Sequence, residues 1–127
     1  MNAATGTSIR QRVDDLISHI QQGKILDAMG EFYAEDTAMQ ENRKDPVVGL
    51  ARNIEREKEF LAQVKDFHGF GADAIGVDED NRRALVESWM EFTNQEGQKV
   101  RLEQVSVTKW NADGKIAHER FYYDSAG

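Results

Sequence analysis

The last strand-like segment of the chain, residues 115–124, contains an acid that could do chemistry. Side chains of an extended strand alternate between two faces, so the segment divides into two sets. One set is Glu119, Phe121 and Tyr123, and the other is His118, Arg120 and Tyr122. A buried carboxylate is costly unless it is hydrogen-bonded or paired. If the first set faces inward, Glu119 is either a site acid or one half of a structural bridge to a neighbouring strand.

Histidine is the second residue type with suitable chemistry. His19, His68 and His118 are far apart and have none of the close spacings typical of a metal site. Histidine titrates near neutrality, so His68, beside Phe67 and Gly69, could shuttle protons, although a structural histidine is the favoured interpretation. We therefore expect no metal and no cofactor.

The middle strand-like segment, residues 82–93, also alternates, and its pattern leaves the inner face undecided. One face presents Glu87, Trp89 and Glu91, and the other presents Val86, Ser88, Met90 and Phe92. A shift of one residue would exchange the two faces. If the acids face inward, a cavity there would favour a cationic or hydroxyl-rich ligand. If they face outward, Trp89 would join a dimer interface, where aromatic residues are enriched.

Bulk composition excludes several classes of function. The chain has 127 residues, a formal charge of -7 and no cysteine. The length fits one domain, residues 1–127, with one core. The acidic charge disfavours nucleic-acid binding, and the lack of cysteine excludes disulfides and thiolate chemistry. Met1 to Ser8 is short and polar, like a loose N-terminus, and no apolar stretch is long enough for a membrane span, so we expect a cytoplasmic protein without a membrane partner.

Helical patterns fill the first half of the chain. Ser8 begins a capping box, and the apolar repeat after it predicts a helix that Gly23 ends. A second apolar stripe begins at Ile25, runs into Tyr33 and should end at residues 35–36. Two helices joined by so short a turn should pack together.

A third helix is predicted after a short strand at residues 37–40 and a polar loop at 41–48. Leu50, Ile54 and Leu61 form its buried edge. Its charged residues are expected on a solvated face: Arg52, Glu55, Arg56, Glu57, Lys58 and Glu59.

Extended segments follow, separated by turns. The segments are residues 64–77, 82–93, 99–111 and 115–124, and the turns are 78–81, 94–97 and 112–114. The order predicts an antiparallel meander with helices on one face, an α+β arrangement. Gly69, Gly71 and Gly76 should let the first long strand curve.

Three features in order resemble the SnoaL-like branch of the nuclear transport factor 2-like superfamily. They are the Phe-Tyr-Ala-Glu-Asp run at residues 32–36, the acid Glu41, and the hairpin at residues 110–116 that leads into 118–124. The resemblance spans residues 9–124 and implies a cystatin-like cone, with three N-terminal helices on a strongly curved antiparallel sheet. It also implies a small-molecule pocket at the open end and a homodimer through the outer sheet face.

The resemblance also suggests site residues. Set against the ketosteroid isomerase pattern, Glu41 falls on the catalytic base. Ser106 and Leu16 replace the acid and tyrosine that hold the oxyanion there, so true ketosteroid isomerase activity is not expected. Tyr33 or Tyr123 could supply a donor, although a core role explains both. The expected pocket lining is Tyr33, Met39, His68, Trp89, Gln104, Ser106, Trp110, Glu119, Phe121 and Tyr123.

Two functions follow from these patterns. The first is cofactor-free proton transfer on a small organic substrate, as in an isomerase, cyclase or dehydratase, with Glu41 or another pocket carboxylate as the base. The alternative is a noncatalytic ligand-binding or dimeric interaction domain. That alternative predicts acids held in salt bridges or a largely filled cavity.

Overall fold

Three amphipathic helices cover one side of the molecule: α1 (Ile9–Gln21), α2 (Ile25–Phe32) and α3 (Leu50–Leu61). The computed structural model describes residues 7–124, so most of the expected loose N-terminus lies outside the described residues. The Ser8 hydroxyl accepts a hydrogen bond from the backbone N–H of Gln11, as a capping box predicts. Gly23 has a positive φ of 76° and ends the first helix as expected.

The second helix is shorter than its apolar stripe suggested. Tyr33 already has extended dihedrals, with φ of -107° and ψ of 140°, and it pairs with Ile116 in the sheet. The first strand, β1, therefore runs over Tyr33–Glu41 and includes residues that were expected to end the helix. Pairing with a neighbouring strand outweighs local helical propensity here.

Six strands form one sheet. After β1 come β2 (Val47–Val48), β3 (Val64–Asp78), β4 (Arg83–Asn94), β5 (Lys99–Trp110) and β6 (Ile116–Tyr122). The spatial order is β2-β1-β6-β5-β4-β3.

The sheet has the expected antiparallel meander and, in addition, one parallel pair, so it is mixed. Strands β3 to β6 form the predicted antiparallel meander, but β1 runs parallel to β6. Parallel neighbours need a long connection, and α3 with the meander supplies it. The parallel pair matters for function because it places the end of β1 beside the acid-bearing part of β6.

The inner face of the sheet packs against the helices. Val13 of α1, Phe32 of α2, and Trp110 and Ile116 of the sheet are among the buried core residues. On β4, Val86 and Ser88 are buried while Leu85 is 47% exposed. The face with Val86, Ser88 and Met90 is therefore the inner one, which resolves the register that the sequence left open.

Strand β3 is irregular along its length. Its pairing with β4 shifts three times, once between Phe67 and Gly69. Gly71 lies opposite Trp89, and a Cβ atom there would come within 2.4 Å of the indole nitrogen. Gly71 is therefore required for space on the outer face, a reason more specific than strand curvature.

Among residues 7–124, no helix is both long and apolar enough to cross a membrane.

Candidate functional site

A cavity of about 430 Å³ lies between the inner face of the sheet and helices α1 and α3. This volume falls within the range of roughly 300–1,000 Å³ that small-molecule sites occupy. Most of its wall is apolar, with Phe60, Phe70 and Phe121 among the contributors. The polar and charged side chains in this wall decide what chemistry the cavity could do.

Strand register brings the polar groups together. Cross-strand neighbours share a face, and Met39, Glu119 and Thr108 form one row across β1, β6 and β5. The next row contains Glu41, Phe121 and Ser106. Both rows line the cavity.

Glu119 is the most deeply buried acid of the cavity, with 5% of its surface exposed. The Tyr33 hydroxyl donates a hydrogen bond to Glu119 Oε1. Its other oxygen, Oε2, accepts no hydrogen bond from any described residue. Tyr33 thus fixes one oxygen of the carboxyl group and leaves the second available to a ligand.

Burial raises the pKa of Glu119 to about 7, against an opposing effect of the Tyr33 hydrogen bond and with a further increase from the nearby charge of Glu57. Burial, followed by the charge of Glu119, also raises the pKa of Tyr33 well above its ordinary value. The phenol therefore stays protonated and remains a hydrogen-bond donor. Glu119 itself can gain or lose a proton near neutrality, which general acid-base chemistry requires.

Glu57 is a second acid in the cavity wall, contributed by α3. Within residues 7–124 its carboxylate has no hydrogen-bond or ion-pair partner. Burial raises its pKa, the charge of Arg56 lowers it and the charge of Glu41 raises it. Glu57 therefore adds negative potential to the cavity without being neutralised by a direct partner.

Glu41 lies at the exposed rim and is fully engaged. Its Oε2 accepts a hydrogen bond of 2.8 Å from Arg56 Nη2 within an ion pair, and its Oε1 accepts one of 3.1 Å from the Tyr123 hydroxyl. Arg56 also contacts Asn53 Oδ1 at 3.4 Å. Burial, and then the bond to Glu41, raises the pKa of Tyr123. This cluster fixes the geometry of the rim and leaves Glu41 no free oxygen.

Neutral polar groups line the part of the wall that β4 and β5 form. Ser88, Gln104 and Ser106 border the cavity. Trp110 Nε1 donates to Thr108 Oγ1 at 2.9 Å, so that pair is already satisfied. The serine hydroxyls and the Gln104 amide are the groups that could donate to an oxygen atom of a ligand.

The structure gathers most of the residues expected in the pocket. Those that line the cavity with their side chains on its face are Tyr33, Met39, Glu41, Gln104, Ser106, Trp110, Glu119 and Phe121. Tyr123 lies just beyond them and reaches the site through its bond to Glu41.

Two expected lining residues do not turn their side chains into the cavity. His68 is exposed and bonds the Thr93 hydroxyl at 2.6 Å, because the irregular start of β3 turns it away from the cavity. Trp89 borders the cavity, but the register of β4 directs its indole ring to the outer face of the sheet. There the guanidinium carbon of Arg101 lies 5.0 Å from the centroid of the ring. The structural interpretation of His68 and the outer-face alternative for Trp89 are therefore the ones that fit.

Arg56 and Glu57 correct the interpretation of α3. The sequence predicts both, together with Glu59, on its solvated face, yet all three line the cavity. Leu50, Ile54 and Glu57 follow helical spacing, so Glu57 belongs to the apolar stripe itself. A charge on that stripe was the available signal. No group of three His, Asp or Glu side chains in the described part of the chain is placed to hold a metal ion.

A family model for the SnoaL-like domain matches residues 5–119 of the chain. No curated protein matches the sequence of this chain. Several solved structures have a similar fold, and each likeness covers most of this chain and most of the other. An LEH-like epoxide hydrolase of M. tuberculosis superposes with a TM-score of 0.72 at 19% identity, covering 93% of this chain and 83% of that one.

Two further structures extend this likeness. SalBIII, an epoxide hydrolase/cyclase-like enzyme in pyran ring formation in the polyether salinomycin, has a TM-score of 0.76 at 20% identity and covers 93% of this chain and 92% of its own. A nuclear transport factor 2-like protein of unknown function from Burkholderia pseudomallei K96243 has a TM-score of 0.79 at 14% identity, with coverages of 94% and 93%. At such identities the likeness establishes a shared fold and leaves the chemistry open.

Proposed function

The chain belongs to the SnoaL-like domain family and has the nuclear transport factor 2-like cone fold, and from this premise we propose that it transfers a proton on a small organic substrate. The observation that carries the proposal is Glu119, a buried carboxyl group with one oxygen free in the cavity and a pKa of about 7. A catalytic acid or base works best when its pKa lies near the working pH. Glu119 also keeps one carboxyl oxygen free, whereas both oxygens of Glu41 are engaged.

The proposed step needs only the protein's own side chains. Glu119 Oε2 accepts a proton from a carbon atom next to a carbonyl group, and the electron pair moves onto the carbonyl oxygen. Ser88, Ser106 and the Gln104 amide line the wall where that oxygen would be held. Glu119 then returns the proton to a different atom of the substrate. In an isomerisation that atom is another carbon of the conjugated enolate. In a ring closure it is the alkoxide oxygen formed when the enolate carbon attacks a second carbonyl group, and in an elimination it is the group that the enolate expels.

Tyr33 is proposed as a positioning residue for this step. Its hydrogen bond to Oε1 holds the carboxyl plane, so that Oε2 keeps one direction toward the substrate. The same bond stabilises the ionised form of Glu119, which is the form that accepts a proton. Loss of this bond should make Glu119 a stronger base that is less often ionised at neutral pH.

Deuterium exchange tests this proposal without knowledge of the natural substrate. Neutral ketones and amino ketones are first screened by thermal shift, since binding to the folded state raises its apparent stability. Compounds that bind are then incubated with the protein in deuterium oxide, and incorporation beside the carbonyl is followed by NMR.

The variants identify the base. Glu119→Gln should reduce the accelerated exchange on the order of 10²–10⁴-fold, the usual contribution of general acid-base catalysis. Glu55→Gln, an exposed position of α3 paired with Lys58, is the matched control and should exchange like the wild type. Full exchange activity in Glu119→Gln would disprove the assignment of Glu119 as the base.

A noncatalytic binding domain is the second candidate. The observation that favours it is the ion pair of Glu41 with Arg56, since this alternative predicts acids held in salt bridges. A noncatalytic binding domain requires that ketones bind without accelerated deuterium exchange, in the wild type and in every variant.

The outer face of the sheet is proposed to form a homodimer. Leu85 and Tyr122 are 47% and 44% exposed on this face, and an exposed apolar surface typically marks an interface. Sedimentation at micromolar concentration should give a dimer, and Leu85→Asp should give a folded monomer. A wild-type monomer under these conditions would refute the dimer.

A further inference from the structure

The charges of the cavity wall are strongly unbalanced. The acids that line it are Glu41, Glu57, Glu59 and Glu119. Among residues 7–124, Arg56 is the only lysine or arginine that lines it, and Arg56 is already bonded to Glu41 and Asn53. No free cationic side chain of the described wall is thus available to bind a carboxylate or phosphate, and the potential inside the cavity repels an anion.

Two of these acids are available to a ligand. Glu119 is nine-tenths buried, and its Oε2 accepts no hydrogen bond from the described residues. Glu57 faces the same cavity from α3 and has no direct partner there. The two carboxyl groups are close enough for the charge of Glu57 to act on Glu119. A desolvated charge without a partner is unfavourable, so a cation held beside Glu57 would relieve that cost.

The rest of the wall suits the body of such a ligand. Phe60, Phe70, Trp110 and Phe121 supply aromatic surface. Aromatic faces attract cations as well as apolar groups, and they do so more strongly where water is excluded. The volume of about 430 Å³ accommodates a compact molecule.

We propose that the cavity binds an organic cation, a primary or secondary ammonium group on a compact apolar body, whose charge lies against Glu57 and leaves Glu119 Oε2 free to accept the proton. The inference rests on the proposed function, because it assigns a substrate class to the same cavity. An amino ketone or related amine would place its ammonium group against Glu57 and its apolar part against the aromatic wall.

Three probes with the same aromatic body test this inference: naphthylethylamine, naphthylethanol and naphthylacetate. Their affinities for the intact protein are measured by titration calorimetry at neutral pH. The amine should bind about ten-fold or more tightly than the alcohol, as expected for one hydrogen-bonded charge pair. The acetate should bind most weakly of the three.

Glu57→Gln and Glu55→Gln separate a local charge effect from a general one. Both substitutions remove one negative charge from α3, so long-range attraction of a cation falls equally. Glu57→Gln should reduce the preference for the amine over the alcohol about five-fold or more, while Glu55→Gln should leave it unchanged. Affinity for the alcohol should be the same in both variants, which also shows that both are folded.

The pH dependence gives an independent readout. The ionisable groups around the proposed ammonium position are Tyr33 and Glu41 of β1, Arg56, Glu57 and Glu59 of α3, Glu119 of β6, and Tyr123. Glu119 has a pKa of about 7 and attracts a nearby cation only after it has lost its proton. Binding of the amine should therefore tighten from about pH 6 to about pH 8, while binding of the alcohol should not.

The outcomes distinguish this inference from the proposed function. Equal affinity for amine and alcohol, or an equal loss in both variants, would overturn the cationic ligand and leave the cavity as a proton-transfer site. Failure of all three probes to bind, together with failure of every ketone in the thermal-shift screen, would overturn both.

Discussion

Replacing Glu119 by glutamine should change how stability depends on pH. A carboxyl group whose pKa is raised by folding holds its proton more tightly in the folded state than in the unfolded state. At pH values below the pKa that the group has in the unfolded chain, it is protonated in both states, so its titration does not change the stability. As the pH rises toward its folded pKa, the unfolded chain binds fewer protons than the folded one, so the free energy of unfolding falls.

The size of the effect follows from the shift of Glu119. Its pKa rises from 4.5 to about 7 on folding. Each pKa unit corresponds to about 1.4 kcal/mol, so the full penalty above neutrality is about 3 kcal/mol. Between about pH 5 and about pH 8, where denaturation is easily measured, the wild type should lose about 2–3 kcal/mol from this group alone. Glutamine keeps a similar shape without a titrating proton, so the variant should not show that loss.

Urea denaturation at a series of pH values measures this effect. The informative quantity is the difference in unfolding free energy between wild type and Glu119→Gln, because the other ionisable groups are common to both proteins. Glu55→Gln, at an exposed residue, serves as the control and should follow the wild type at every pH. Parallel curves for wild type and Glu119→Gln would refute the raised pKa, and with it the main reason for naming Glu119 as the base.

Three further substitutions test other parts of the structure. Tyr33→Phe removes the hydrogen bond that lowers the pKa of Glu119, so the fall in stability should extend to higher pH in the same urea series; an unchanged profile would contradict the bond. Thr37→Val removes a fully buried hydroxyl without a partner in the described chain and should stabilise the protein by about 1 kcal/mol, and a loss of stability would contradict that expectation. Gly71→Ala should lower the free energy of unfolding by about 1–3 kcal/mol and alter tryptophan fluorescence, because the new methyl group meets the indole of Trp89. Gly76→Ala is the control and should leave both unchanged, because the space around Gly76 is open.

Most of the fold could be predicted because periodicity and turn chemistry are local signals. The cap at Ser8, the stop at Gly23 and the turns between the four long strands each depend on a few adjacent residues. The parallel pairing of β1 with β6 could not be derived in this way. It joins residues about eighty positions apart, and no local pattern distinguishes a parallel neighbour from an antiparallel one.

The site was predictable where strand alternation applied. Glu119 and Phe121 share a face with the inward residues of β5, and this follows from a period of two once one inward residue is known. The alternation rule could not place His68, because the register of β3 shifts next to it. It could not place Trp89 either, because the sequence alone does not show which face of β4 is the inner one. Partners were also inaccessible, since the bonds from Arg56 and Tyr123 that occupy Glu41 depend on three separate elements.

Helix α3 shows how a charge can identify a site before any ligand is known. Its inward stripe runs through Leu50, Asn53, Ile54 and Glu57 and contains two polar residues. Asn53 is accounted for by structure, because its amide donates to the carbonyl oxygens of Val47 and Gly49 and so ties the helix to β2. Glu57 has no such partner among residues 7–124, and a hydrophobic residue there would remove a desolvated charge and complete the stripe. Glu57 therefore has no direct structural partner that accounts for a charge on this stripe, as its proposed role in binding a cation requires.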